Sequence, residues 1–494
     1  MTMNMFKTLA TVVVGLWAGV ATANTDSKDL LIKFANTAAL KSFTSLAHSG
    51  GARIETLGES QWVRVQLTEK QDLSLSEIAA DPNVLAVQPN YKIRLLENYQ
   101  AKTPAALAKL GRALMAPPIP MPGGEMPADN PPFPSNKIGG SGADSELSKQ
   151  WGMNDIGVQA GWKHGKGAGV IVAVIDTGVD YTHEDLQDNL WRNAGEMGKD
   201  AQGRDKSANG VDDDGNGYVD DLMGWDMVTN DNKPFDLAMG PLDLLMKGGN
   251  PGHGTHCAGN VAAVGNNGRG VAGVAPDAKI MILRFLSEKG EGDTAGAIKA
   301  IDYAVKNGAR VLSNSWGSEG EDPAEGEANK ALREAIQRAE DAGTLFVAAA
   351  GNGHQGVGYD NDTDAKPAYP ASYDHDTIIS VAAIDVDDKF GSFSNWGRRT
   401  VDIAAPGVKV FSTTVGGKYS DMVIDLFGIQ ASWDGTSMAC PHVAGAAAAY
   451  WSKHPTATWK DVKKAILDSA APIAVAKGKL VTEGKLNFEA LMQK

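Results

Sequence analysis

Three short blocks, far apart in the chain, each carry one group needed to cleave an acyl bond. They are Val174-Ile175-Asp176-Thr177-Gly178, Gly252-His253-Gly254-Thr255-His256 and Gly435-Thr436-Ser437-Met438-Ala439. A hydroxyl nucleophile needs a base to take its proton. The base needs a carboxylate to hold its tautomer and to stabilise the imidazolium that forms. Ser, His and Asp occur in any long chain, so their contexts carry the argument. Asp176 ends the apolar run Val170 to Ile175, which reads as a strand covered on both faces, and open α/β sheets place their sites at such strand ends. Glycines stand beside His253 and before Thr436-Ser437, and a helical pattern follows each. A hydroxyl at a helix N-terminus lies in a positive potential that favours developing negative charge. In a fourth block, Leu345 to Gly353, a buried strand ends in Asn352, whose amide can donate to the oxyanion of a tetrahedral intermediate. Taken singly, Asp176 and Asn352 read as turn formers and Thr436 or Ser437 as a helix cap.

Together these blocks resemble the subtilisin-like (subtilase) serine endopeptidases, whose chain order for the triad is Asp, His, Ser. Met438 and Pro441 fit the same pattern. The resemblance implies that Ser437 is the nucleophile, His253 the base and Asp176 the group that orients it. Asn352 and the Ser437 backbone N–H would hold the oxyanion, while His256 and His442 would be structural. Ser315, Trp316 and Gly317, in Ser313 to Gly317, resemble the segment whose backbone pairs with an extended peptide beside the primary specificity pocket. Ala368, just before Tyr369-Pro370-Ala371, would lie near the floor of that pocket and leave room for a large uncharged side chain. A broad, apolar-leaning specificity toward polypeptide substrates is expected. A narrow processing protease is the nearest rival. A non-catalytic binding protein would show a damaged triad, and none is visible.

Asp212, Asp214 and Asn216, with Gly217, Tyr218 and Asp220, match the front of an EF-hand-type loop, although its closing Glu is missing. Packed carboxylates repel by roughly 1 kcal/mol per pair at 4 Å even in water. A structural Ca2+ held by Asp212, Asp214, Asn216, Tyr218 and Asp220 is the sharper reading, and a solvated acidic loop the plainer one. Resemblance adds a second calcium site using Asp185 and Asn267.

The elements that must position these groups fall into successive parts. Lys7, the apolar run Leu9 to Val20 and Ala21-Thr22-Ala23 read as a secretory signal peptide over 1–23. Export to the extracellular space, by way of a periplasm where there is one, follows. Over 24–97 the pattern β-α-β-β-α-β predicts a small ferredoxin-like α+β unit. Its strands are expected at Leu30 to Phe34, Arg53 to Leu57, Gln61 to Leu67 and Val84 to Ile93, and its helices at Ala38 to His48 and Leu75 to Ala80. It resembles the subtilase prosegment, a chaperone and intramolecular inhibitor that would make the protein a zymogen. A Pro/Gly-rich linker over 98–147 suits activation by cleavage, or less simply a proline-binding partner. Over 148–494, apolar runs alternate with helical patterns. This predicts an α/β domain with a mainly parallel open sheet and helices on both faces.

The formal net charge of −14 argues against a nucleic-acid partner, no run beyond the leader is long enough to span a membrane, and a monomer is expected. The two cysteines, Cys257 and Cys440, read as buried thiols beneath the site, with a disulfide between them left open. The apolar insertions Asp236 to Asn250 and Lys418 to Trp433, just before His253 and Ser437, would either narrow the cleft or pack on the surface.

Overall fold

The computed structural model describes residues 28–49, 52–67, 78–97, 99, 140–319 and 327–494. The expected signal peptide and most of the linker lie outside the described residues. The main sheet is built from short apolar runs, and Ile171–Asp176 lies inside it with a strand on either side. That strand buries Val172 and Val174 on one face and Ala173 and Ile175 on the other, so a single apolar run feeds two separate cores. To one side it pairs in parallel with Lys279–Arg284, which in turn pairs with Gly224–Asp226. To the other side lie Val311–Asn314, Leu345–Ala349, Ile378–Ile384 and Ile403–Pro406, all parallel. Two short strands, Gly484–Lys485 and Ala471–Pro472, close this edge, and the last pairing is antiparallel.

Chain order reverses between Ile171–Asp176 and Val311–Asn314, and the crevice of an open α/β sheet lies beyond the C-terminal ends of strands at such a point. Asp176 and Ser315 sit there. Helices His253–Ala262 and Thr436–Lys453 cover one face, and Thr294–Lys306 and Lys330–Asp341 the other. The α/β sheet with helices on both faces is therefore as the sequence predicts. Residues just before 148 already bond to the large domain. Gly142 bridges to Asn267, and Asp144 accepts from the amides of Asn266 and Asn267 at 2.9 Å.

The N-terminal unit is an antiparallel sheet in the order Arg53–Thr56, Trp62–Gln66, Asp29–Phe34, Val84–Pro89, with helix Thr37–Ser49. Of the second expected helix, residues 78–79 are helical and Ala80 is in a turn, while 75–77 lie outside the described residues. The unit docks on the helices of the second face and supplies what their ends lack. Asn90 Oδ1 accepts from Ala295 N and Gln88 Oε1 from Ala331 N, both at 3.0 Å, satisfying first-turn N–H groups that have no partner within a helix. Lys33 and the Trp62 indole both bond Glu334 at 2.9 Å. Here one expectation is corrected. Val84 to Ile93 is not one strand, because Asn90 and Tyr91 turn aside to cap Thr294–Lys306. The chain then restarts as Lys92–Arg94 and pairs antiparallel with Glu291–Asp293 of the large domain.

Candidate active site

Helix His253–Ala262 begins hard against the loop after Asp176. A Cβ on Gly254 would lie 2.1 Å from Gly178 O, so only glycine permits this approach. The approach brings His253 Nδ1 to 2.7 Å from Asp176 Oδ1, both side chains fully buried. Asp176 Oδ1 also accepts from Thr177 N at 2.7 Å, which fixes the carboxylate. Burial alone would lower the His253 pKa, but the facing carboxylates, Asp176 first, outweigh it and hold the ring well above its usual value.

Ser437 lies in the first turn of Thr436–Lys453, buried beneath the crevice. Its Oγ donates to Ser315 O at 3.2 Å, and Ser315 Oγ donates to Ser437 O at 2.9 Å. The ring nitrogen that would take its proton, His253 Nε2, instead faces Glu97 Oε2 at 3.3 Å. Asn352 Oδ1 accepts from both Thr436 N and Thr436 Oγ1 at 2.9 Å, which turns Nδ2 toward the crevice, where it donates to Glu97 Oε1 at 2.9 Å. A Cβ at Gly435 would fall 2.1 Å from that same Glu97 oxygen. Thus a carboxylate from the end of the N-terminal unit sits between the amide and the imidazole, where an oxyanion would be stabilised.

The remaining expected residues are placed as follows. Gly317 exchanges two backbone hydrogen bonds with Arg94, at 3.1 and 3.3 Å. Trp316 turns its indole into the core against Phe285 and Phe346, leaving only its backbone for the cleft. Ala368 is buried on a short strand against Ser318–Glu319, behind Gly351. His256 stacks on Trp433 and bonds Val410 O at 2.9 Å, with burial pushing its pKa down to about 3. His442 bonds Met438 O, and burial pushes it down to about 4. Both are neutral packing groups. Cys257 and Cys440 are free thiols, pushed up by burial to about 11 and about 12, so neither is an activated nucleophile.

Sequence reasoning missed two buried residues that hold the base. Asp236 accepts from Thr177 Oγ1 at 2.9 Å, from Thr255 N at 2.9 Å and Oγ1 at 2.6 Å, and from Asn250 Nδ2 at 2.7 Å. Asn250 Oδ1 accepts from His253 N at 2.9 Å and Gly252 N at 2.8 Å. Burial, with nearby Asp176, lifts Asp236 to about 6 despite these donors. The available signal was a lone Asp inside the apolar stretch Phe235-Asp236-Leu237.

Among the acidic residues, Asp212 and Asp214 converge with Glu196, which the sequence pattern did not include. Glu196 is buried and its Oε2 has no hydrogen-bond partner among the described residues. Burial, with Asp221, Asp213 and Asp214 nearby, pushes it up to about 7. Asn216 Nδ2 joins Asp221, which also accepts from Asn193. Tyr218 packs its ring between Trp225 and Tyr303. Asp220 turns away from the cluster: its carboxylate accepts from the amides of Asn209 and Gly210, at 3.0–3.1 Å. Elsewhere, Asn267 Nδ2 bonds Asp185 Oδ1 at 2.6 Å, and Val271 N bonds Oδ2 at 2.8 Å.

Comparison with known proteins decides the family. The profile described as the Subtilase family matches residues 167–489. The chain belongs to the subtilase family. It is thus a serine-type endopeptidase by family, and the Asp-His-Ser triad is characteristic of that family. The subtilase is 34% identical over 346 residues to thermitase of Thermoactinomyces vulgaris, a match covering 70% of this chain and 96% of thermitase. It is 32% identical over 325 residues to subtilisin E of Bacillus subtilis (strain 168), covering 65% and 66% of the two chains. In structure it is similar to fervidolysin from Fervidobacterium pennivorans, described as a keratinolytic enzyme related to subtilisin. The TM-score is 0.63 and the identity 23%, over 96% of this chain and 62% of that one; this likeness speaks for the fold. Among the described residues no helix is long and apolar enough to cross a membrane.

Proposed function

We propose that this subtilase is a secreted endopeptidase of broad, apolar-leaning specificity, made as a precursor whose N-terminal unit blocks its own cleft. The observation that carries this reading is one crevice holding Asp176, His253, Asn352 and Ser437, with the strand Lys92–Arg94 and the residues after it to Glu97 laid into it. Once Glu97 leaves, Ser437 Oγ can turn from Ser315 O toward His253 Nε2. Attack forms the Oγ–carbon bond of a tetrahedral intermediate while His253 takes the hydroxyl proton. Its oxyanion then replaces the Glu97 oxygen on Asn352 Nδ2. Collapse breaks the C–N bond, His253 returns the proton to the departing amine, and water releases the acyl group by the same route. Ser315, Gly317 and the backbone of Trp316 would hold the substrate strand, with Ala368 behind the primary pocket. A fluorophosphonate probe should label the processed protein on Ser437, read by peptide mass spectrometry. Labelling elsewhere, or none, would remove Ser437 from its role.

The domain reading is a leader over 1–23, an inhibitory unit over 24–97, a cleavable linker over 98–147 and a peptidase domain over 148–494, with Gly142 and Asp144 already bonded to that domain. A monomer needs nothing further to complete the crevice.

Calcium is proposed at the loop cluster, with Glu196 as the carboxylate the sequence pattern lacked, beside Asp212 and Asp214. An unpartnered buried carboxylate oxygen fits a hard cation, which would cancel the repulsion within the loop and order it. A second calcium at Asp185 and Asn267 rests on the family resemblance, with Asp144 as a further carboxylate beside Asn267. Calcium at about 100 times its Kd adds roughly 2.7 kcal/mol to stability. Thermal unfolding of the processed protein in excess chelator should therefore come several degrees earlier than with calcium. Glu196→Gln should lose the loop site's share of that difference, and an identical calcium response in this variant would exclude Glu196 as a ligand.

A further inference from the structure

The two apolar insertions pack on each other. Helix Pro241–Lys247 precedes His253, and the hairpin Met422–Leu426 with Ile429–Ser432 precedes Ser437. Between them Leu244, Leu245 and Ile424 are buried, ringed by half-buried Leu242, Leu426 and Ile429. The mechanism above uses none of these side chains. The same cluster receives one residue from outside the insertions: the ring of Tyr99, whose hydroxyl is buried without a hydrogen-bond partner among the described residues.

The register of the strand in the cleft gives that contact its meaning. Arg94 pairs with Gly317, and Leu95 N donates to Gly290 O at 2.9 Å. Leu96 comes next, its Cδ2 in van der Waals reach of a methyl placed on Gly317, at 3.4 Å. Glu97 then reaches Asn352 and His253. Leu96 is therefore the side chain seated on the acyl side of the reacting position. Tyr99 lies three residues further, on the leaving-group side. When the N-terminal segment is removed, the cluster loses this ring and exposes a contiguous apolar surface beside the cleft, the kind of patch that marks a binding site.

We propose that the two insertions together form a leaving-group-side subsite. It would select polypeptide substrates by an aromatic side chain three residues beyond the one seated at Gly317. The proposal rests on Ser437 being the peptidase nucleophile. Its lining is aliphatic and offers the Tyr99 hydroxyl nothing, so phenylalanine fits better than tyrosine and an acidic side chain fits worst.

The test uses the full chain after it has been processed to the active form. It takes internally quenched peptides that share a Leu at the acyl-side position and vary only the third residue beyond it, with the cleaved bond verified by mass spectrometry. Burying one aromatic ring predicts kcat/KM about 10-fold or more higher for Phe than for Ala, with Tyr between them and Asp lowest. Leu242→Ser and Leu426→Ser should each bring the Phe-to-Ala ratio down toward unity. That ratio, taken within one preparation, does not depend on how much of the variant has folded. Cleavage of all the peptides with no preference, or an unchanged ratio in both variants, overturns the subsite alone. No cleavage of any peptide by the wild type overturns the peptidase reading and the subsite with it.

Discussion

The full-length Ser437→Ala chain is expected to accumulate as uncut precursor and to hydrolyse peptides about 10^6-fold more slowly than the processed wild type. That factor belongs to subtilisin itself, a relative of this chain, where removing the serine costs as much as removing the whole triad. The physical reason carries over directly. Without Oγ no covalent acyl group forms, and His253 and Asp176 have no hydroxyl to serve. Asn352 and the binding strand remain, so a small residual acceleration over water should persist. Retention of the N-terminal unit is the more informative half of the result. Electrophoresis and intact-mass measurement on the purified variant should find the N-terminal unit over 24–97 still attached. Normal trimming of that variant would mean that another protease matures the chain.

Asp176→Asn is expected to leave the fold in place but lower kcat about 10^4-fold, because an amide facing Nδ1 favours the wrong imidazole tautomer. The pH profile separates this from simple damage. Asp176 is the foremost of the groups that raise the His253 pKa. Without its charge the ring loses its proton at lower pH. The sign follows: the acid limb of the kcat/KM profile, where His253 becomes protonated and unable to act as base, should move to lower pH in the variant. A profile that falls in height with its acid limb unmoved would mean that Asp176 does not set the state of His253.

Much of this was legible in the sequence because the groups sit at strand ends and helix starts, where local pattern and chemistry coincide. Ile171–Asp176, Leu345–Ala349 and the two site helices lie where the apolar runs and glycines predict. What was not legible depends on contacts made across long separations. Nothing in the local sequence marks Glu97; it reaches Asn352 because the Lys92–Arg94 strand carries it there. Glu196 lies outside the acidic run and joins Asp212 and Asp214 only because the intervening chain folds back. The split of Val84 to Ile93 was invisible for a similar reason. The helix that needs Asn90 as a cap is about two hundred residues further on. Asp220, in contrast, matched the loop pattern by spacing while its carboxylate serves backbone amides of the preceding turn.

The insertion before His253 is stapled at its base: Asp236 and Asn250 bond each other at 2.7 Å, and the same two residues grip the start of the helix carrying the base. Evolution, or a protein engineer grafting loops, is therefore free with the span between them and not with its ends. Exchanges confined to 237–249 should reshape what the enzyme cuts, whereas any that cross either anchor should cost it the ability to cut at all.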